Sequence, residues 1–438
     1  MNITQFNQIK LQSEIISDEL HQLMIELYPI CRSITGQGVR ESHKIISKLI
    51  PLQTKEISSG TKVFDWNIPK EWNIRDAYVI DPHGNKIIDF KKSNLHILNY
   101  SIPINKKITL QELKKHLYTL PDQPDLIPYL TTYYNEDWGF CLTHNQFLQL
   151  EEGEYHVCID STLENGSLTY SEYFLKGKTS NEVIISCYTC HPSLCNDNLS
   201  GVVLTTLLAK YVSNLQLNYS YRFLFIPETI GAIAWLHSNQ NIISNIKHGL
   251  VVTCVGDSGI SSYKKTRMGD AEIDKVVQNM LKNSNNDYEI INFFPSGSDE
   301  RQFSSPGFNL PFGSLMRTIY GKFPEYHTSA DNLEFMNKKS LIDSFLKYIT
   351  VIFILENNHS YINLNPKCEP QLGKRGLYKK IGGQKGFDEL KQSISWVLNL
   401  SDGDHSLLDI SNMSDIKFDL IKDAADVLIQ NNLLKLQS

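Results

Sequence analysis

The chain has 438 residues, 41% of them hydrophobic and 21% charged, with 42 Lys and Arg against 48 Asp and Glu for a formal net charge of -6. This is the composition of an ordinary globular protein, and its acidic balance excludes a chain-wide attraction to nucleic acid or anionic lipid. The length exceeds what one hydrophobic core usually organises, so two or three domains are expected.

The opening MNITQFNQIKLQSEIISDEL lacks the basic start, apolar run and small-residue cleavage site of a signal peptide. No segment reaches the roughly 18 to 20 apolar residues that span a bilayer, so the expectation is a cytoplasmic protein with no membrane partner. Eight cysteines scattered along such a chain are expected to be reduced thiols. Cys187 and Cys190 form a C-x-x-C, but no second pair completes a thiolate metal site, and Cys187 falls in the apolar run VIISCYT.

In chain order, Glu14–Leu52 has helical spacing of apolar residues, interrupted by the turn-rich stretch that starts at Arg32. From Thr61 to Leu148 the pattern shifts to short alternating segments with many prolines, which predicts a β-rich subdomain. YHVCIDSTL, GSLTYSEYFL, EVIISCYT, YRFLFIP and GLVVTCVG then read as strands, and those beyond Ser180 alternate with apolar helices. Such alternation predicts an α/β unit with a mostly parallel sheet flanked by helices, closed by a helix at Leu341–Glu356. After a Pro/Gly/Lys-rich connection at Asn365–Lys385 comes a helix-turn-helix-like tail with a possible wing strand. The expected division is 1–60 with 150–365 for the α/β domain, 61–149 for an inserted β-rich subdomain, and 366–438 for a winged-helix module.

Four motifs inside the α/β unit carry chemistry. In Cys190-His191-Pro-Ser-Leu-Cys-Asn-Asp197-Asn-Leu-Ser-Gly201, an imidazole and a carboxylate sit where a strand runs out at the edge on which open α/β sheets bind ligands. Phe225-Ile-Pro-Glu228-Thr-Ile-Gly231 puts a glutamate at the same kind of edge, placed either to take a proton from an activated water or to serve as a helix-start carboxylate. Ser298-Asp299-Glu300-Arg301 suits a capped helix start, or a site where Arg301 or Arg317 steers an anionic substrate group. Tyr326-His327-Thr-Ser-Ala-Asp331 offers a loop histidine, with Asp331 available to support a ligand or cap a helix.

The order of these motifs resembles that of the co-catalytic zinc aminopeptidases. The whole chain, with Cys31-Arg32-Ser-Ile-Thr-Gly-Gln-Gly, Asp65-Trp-Asn-Ile-Pro and Trp138-Gly-Phe-Cys, further resembles a bacterial aminopeptidase-like family. Its members carry an inserted swivelling β/α domain and a C-terminal winged helix, and often accompany surface-polysaccharide genes. The resemblance implies metal ligation by His191, Asp197 and His327 and proton transfer by Glu228. Asp299, Arg301, Arg317, Asp331 and Arg32 are the residues expected to touch substrate or to support the ligands.

Two departures bear on the metal. Thr229 stands where the family has its second glutamate, and Thr253 stands at the strand position of a later aspartate ligand, with Asp257 a few residues beyond. Three protein ligands suffice for a catalytic zinc, so the expectation is one tightly held ion and a second weak or absent. The expected activity is hydrolysis of a peptide or small amide. The alternatives are glutaminyl-cyclase-like chemistry, another amide hydrolase of surface-polysaccharide metabolism, or a degenerate peptidase scaffold with a protein- or DNA-binding winged helix. In the tail, Lys417 and Lys422 mix with Asp415, Asp419, Asp423 and Asp426, so no basic face meets phosphates. Protein contact or homo-oligomerisation is therefore the expected use of the module, not nucleic-acid binding.

Overall fold

The apolar run Glu182–Tyr188 forms a strand whose seven residues are all buried, as a strand covered on both faces requires. The computed structural model describes residues 1–284, 286–377 and 387–437, with the backbone alone at 387 and 388; the end of the connection, 378–386, lies outside the described residues. Glu182–Tyr188 pairs in parallel with Ser220–Ile226 on one side and with Ile246–Val252 on the other, and the latter pairs in parallel with Phe312–Met316. Antiparallel strands extend this centre: Ser167–Leu175 and Gln53–Ser58 beyond Ser220–Ile226, and Ser261–Lys264 beyond Phe312–Met316, with Tyr288–Ile291 outermost.

The helices Ser200–Val212, Glu272–Lys282 and Lys338–Asn357 bury Leu204, Leu207, Val276, Leu281, Ile349 and Ile352 in one large core against the sheet. The expected N-terminal pair is present as Ser13–Leu27 and Gln37–Ile46, preceded by a further helix, Ile3–Leu11, that Asn2 and Gln5 cap reciprocally. Among the described residues no helix is long and apolar enough to cross a membrane, and the eight cysteines are unpaired.

The inserted β-rich unit is a four-stranded antiparallel sheet with its own core around Trp72, Val79, Phe140, Val157 and Ile159. It runs further along the chain than the alternation suggested. Glu154–Glu164 pairs with Glu71–Ile80 and Ile104–Thr109 and not with the large sheet. The reason lies in its faces: burial alternates along the strand, and Tyr155, Val157 and Ile159 point into the insert's core.

The C-terminal module also begins earlier than expected, since Ser360–Asn363 is the middle strand of its three-stranded sheet, between Asp402–Ser406 and Leu434–Leu436. The module packs on the α/β domain. Asn279 Nδ2 donates to Ser411 Oγ at 3.0 Å, Lys282 pairs with Asp415 at 2.6 Å, and the Phe353 and Phe418 rings meet edge to face with centroids 5.9 Å apart.

Candidate metal centre

The three parallel strands ending at Tyr188, Ile226 and Val252 deliver their following loops to one edge of the sheet. Past Tyr188 the chain reaches His191, whose carbonyl accepts a hydrogen bond from Arg32 Nε at 2.9 Å. Arg32 also donates to Leu27 O at 2.7 Å and is 2% exposed, with its pKa lowered to about 10 by burial. It therefore lies behind His191 and holds that peptide in place.

Asp197 sits in an irregular turn with non-helical backbone just before the helix Ser200–Val212. Three neighbours shape the turn. The Asp331 carboxylate accepts the backbone N–H of Asn196 at 2.6 Å and of Asp197 at 2.9 Å. Asn198 Nδ2 donates to Tyr188 O at 3.3 Å and Val252 O at 3.0 Å, fastening the turn to two strand ends. Ser200 Oγ donates to Asn196 O at 2.7 Å.

His327 arrives on a loop from the far end of the domain, in a left-handed backbone conformation with φ +55°, its ring stacked on Tyr326 at 4.0 Å. Its Nε2 stands 2.9 Å from Asp197 Oδ2, and His191 Nε2 is 3.8 Å from the same oxygen. His191, Asp197 and His327 thus present three ligand atoms within 4.8 Å of one another.

Asp197 Oδ2 and His327 Nε2 are both buried and 2.9 Å apart, and neither has a well-aligned hydrogen-bond partner among the described residues. Two imidazoles and a carboxylate aimed at one point, with orphaned buried atoms, are a donor set that fits zinc. Burial lowers the His191 pKa to about 4, which keeps its imidazole in the neutral form that binds metal. Burial pushes the Asp197 carboxyl up, but the two imidazoles and the Tyr188 hydroxyl outweigh it and bring it to about 2.

Glu228 follows the strand Ser220–Ile226, with Oε2 4.0 Å from His191 Nε2 and its backbone N–H donating to Cys190 Sγ at 3.3 Å. Burial, then Asp299 and Asp197, push its carboxyl well above the usual range. Cys190 is itself buried, and its thiol is pushed well up by that burial, so it is a neutral thiol. Cys187 points to Leu224 O on the neighbouring strand, away from the cluster.

The remaining candidates separate cleanly. Asp299 accepts the Thr229 N–H at 2.7 Å, its carboxyl raised to about 7 by burial. Arg301 Nη2 donates to Thr229 Oγ1 at 2.9 Å, and its buried Nε has no partner. Arg317 lies outside the cluster, bonded to Asp343 at 2.8 Å and to Gly259 O at 2.9 Å. Asp257 is likewise taken up elsewhere, by Thr318 Oγ1 at 2.6 Å and Asn196 Nδ2 at 3.0 Å.

Residues 21–358 match the DUF4910 domain, a domain of unknown function, and residues 359–436 match a winged helix-turn-helix. The chain belongs to the DUF4910 family. A protein of Clostridium acetobutylicum, provisionally described as a polysaccharide biosynthesis protein with an aminopeptidase-like domain, is 58% identical over 418 residues, 95% of this chain and 96% of its own. A crystal structure from the same organism, provisionally called a peptidase, superposes with a TM-score of 0.95 at 56% identity, covering 99% of this chain and 100% of that one. The zinc aminopeptidase BSAP of Bacillus subtilis, at 11% identity, shares the fold with a TM-score of 0.58 over 78% of this chain and 95% of its own. This DUF4910 chain therefore has the α/β fold of the zinc aminopeptidases, a peptidase-like domain carrying a C-terminal winged helix.

What sequence reading missed in this DUF4910 protein is the part the insert plays at the centre. Its segment 127–134 is stitched to the His327 loop: Tyr129 N donates to His327 O at 2.7 Å, Ser329 N to Ile127 O at 2.8 Å, and Pro128 bridges Thr328. The Tyr129 ring lies 5.2 Å from His191 and 5.1 Å from His327. Tyr133 and Tyr134 form a rim, 65% and 39% exposed and both at positive φ, and Trp66 packs edge-on against Tyr134 at 5.9 Å. The signal available was the adjacent Tyr pair before Asn-Glu-Asp, since a strand cannot turn two neighbouring rings to one buried face.

Proposed function

We propose that this protein is a zinc-dependent exopeptidase of the aminopeptidase type, hydrolysing an amide bond. The convergence of His191, Asp197 and His327 with the Glu228 carboxyl beside them carries the reading. A zinc ion held by those three residues supplies Lewis acidity toward a carbonyl oxygen and makes water acidic near neutral pH. Glu228 takes the proton of the attacking water and returns it to the leaving amine. Asp299 holds the Thr229 peptide that follows Glu228, and Asp331 holds the turn that aims Asp197. Arg301, a cation with no ion-pair partner among the described residues, faces an anionic group of the substrate.

The test is Glu228→Gln, assayed with aminoacyl p-nitroanilides and unblocked dipeptides. The variant should keep its zinc and lose about a hundredfold to ten-thousandfold in rate, the usual contribution of a general base. Wild-type turnover by a zinc-replete variant would end the assignment.

A second reading puts the amide on a saccharide. The exposed rings of Tyr133 and Tyr134, with Trp66 packed against Tyr134, suit stacking against sugar rings, and the relative from Clostridium acetobutylicum is described in terms of polysaccharide biosynthesis. N-acyl amino sugars assayed beside the peptides distinguish the two. Peptides carrying N-terminal glutamine, scored for cyclised against cleaved product, separate hydrolysis from cyclisation.

A further inference from the structure

The two oxygens of Asp197 face different surroundings. Oδ2 is the buried, unbonded atom that looks toward His191 Nε2 and His327 Nε2. Oδ1 accepts a hydrogen bond from the hydroxyl of Tyr188, whose oxygen in turn lies 2.6 Å from Thr253 Oγ1. Tyr188 is 3% exposed, and its ring packs 5.1 Å from that of His191.

Resting on the zinc assignment above, we propose that Tyr188 stands in the place of a second cation, so that Asp197 serves one ion as a terminal ligand and cannot bridge a pair. In a two-oxygen carboxylate bridge each oxygen takes one ion. Here one of them is committed to a phenol, a group that is protonated near neutral pH and donates one hydrogen bond. The chain Thr253 to Tyr188 to Asp197 gives every member a partner: the threonine hydroxyl donates to the phenol oxygen, and the phenol donates to the carboxylate.

Among the described residues, no second carboxylate bonds to the Tyr188–Thr253 pair, whose other neighbour is the buried Cys254 thiol, 3.3 Å from Thr253 Oγ1. Thr253 follows the strand Ile246–Val252 with a hydroxyl, a weak ligand beside a carboxylate. On the Glu228 loop, Thr229 gives its N–H to Asp299 and accepts a hydrogen bond from the guanidinium of Arg301, so it offers no carboxylate either. The two threonines and Tyr188 thus act together. The threonines remove anionic ligands, and the phenol fills the space while balancing part of the Asp197 charge. Tyr188 is a positioning residue in this account. It fixes the carboxylate so that Oδ2 alone points at the two imidazoles.

The test is metal stoichiometry on the full chain. Protein freed of metal by a chelator, loaded with excess zinc and dialysed, is analysed for bound metal by mass spectrometry and titrated with zinc by calorimetry. Wild type should retain one equivalent. Tyr188→Phe, which opens space without adding a ligand, should also retain one. Tyr188→Phe combined with Thr253→Asp should retain two, because the carboxylate replaces the hydroxyl and the freed Oδ1 completes the site. A second measurement needs no variant: cobalt(II)-loaded wild type should give the electron paramagnetic resonance signal of a magnetically isolated ion. Two equivalents in wild type, a spin-coupled cobalt pair, or a folded double variant that stays at one equivalent would each overturn the role of Tyr188. A wild type that binds no zinc would instead remove the zinc assignment, and this inference with it.

Discussion

The substitution Gly201→Ala tests how the turn at Asp197 is held. A Cβ at residue 201 would stand 2.3 Å from Val252 O and 2.3 Å from Asn198 Oδ1, where 3.4 Å or more is ordinary contact. Val252 belongs to a central strand paired on both sides, so it does not yield. The start of the helix must retreat by about 1 Å, and Asn198 must give up its bonds to Val252 O and the Gly201 N–H. Overpacking costs about 1–3 kcal/mol, an unpaired buried amide about 1–3 kcal/mol, and the better helix propensity of alanine returns about 1 kcal/mol. The expected net loss is about 3 kcal/mol in chemical denaturation. Asp197 lies on the displaced turn, so zinc affinity should fall about tenfold or more in calorimetric titration. Gly307→Ala, whose Cβ would meet nothing within 4 Å, is the control and should change neither quantity. A Gly201→Ala protein with wild-type stability and zinc affinity would refute the claim that close packing there aims the carboxylate.

Zinc at a hundredfold excess over its dissociation constant should stabilise the wild type by about 2.7 kcal/mol, read as a concentration-dependent rise in melting temperature, and His327→Ala should lose most of that response. Arg317→Ala should cost about 1–3 kcal/mol of stability through Asp343 and Gly259, and leave zinc affinity unchanged. His43 makes the fold acid-sensitive. Burial lowers its pKa to about 3, against about 6.5 in the unfolded chain, so the unfolded state binds a proton first as pH falls, and stability drops from about pH 6.5 downward toward pH 3. Between pH 6.5 and 5.0 that single group contributes about 2 kcal/mol of loss, and His43→Asn should show a correspondingly shallower dependence in denaturation curves at the two pH values.

The sheet was legible because its strands are apolar runs broken by helices of 3.6-residue period, and all five strand segments named in the sequence form strands. Their partners were less so. Glu154–Glu164 alternates like any half-buried strand, and only the core it faces, that of the insert, decides its sheet. At the site, His191 and Glu228 stood out just past apolar strands, while Asp197 and the loop residue His327 stood out through a motif order that resembles the zinc aminopeptidases, and the structure brings the four side chains together. Arg317, expected as an alternative to Arg301 for steering an anionic substrate group, instead pairs with Asp343 on the helix Lys338–Asn357. Tyr188 and Tyr129 were invisible in the sequence. One lies inside an apolar run that reads as core, the other in an insert whose placement depends on contacts more than a hundred residues apart.

The backbone stitching between segment 127–129 and the His327 loop makes one of the candidate ligands a shared border between two domains. Binding free energies are reciprocal, so whatever factor a cation adds to the docking of the insert, docking adds to the hold on the cation. The insert would then help retain any cation bound there, and removing it would loosen His327 from outside. Tyr133 and Tyr134, at the open rim a few residues on, can vary with whatever is recognised, while the border beneath them cannot vary without releasing the charge at the centre.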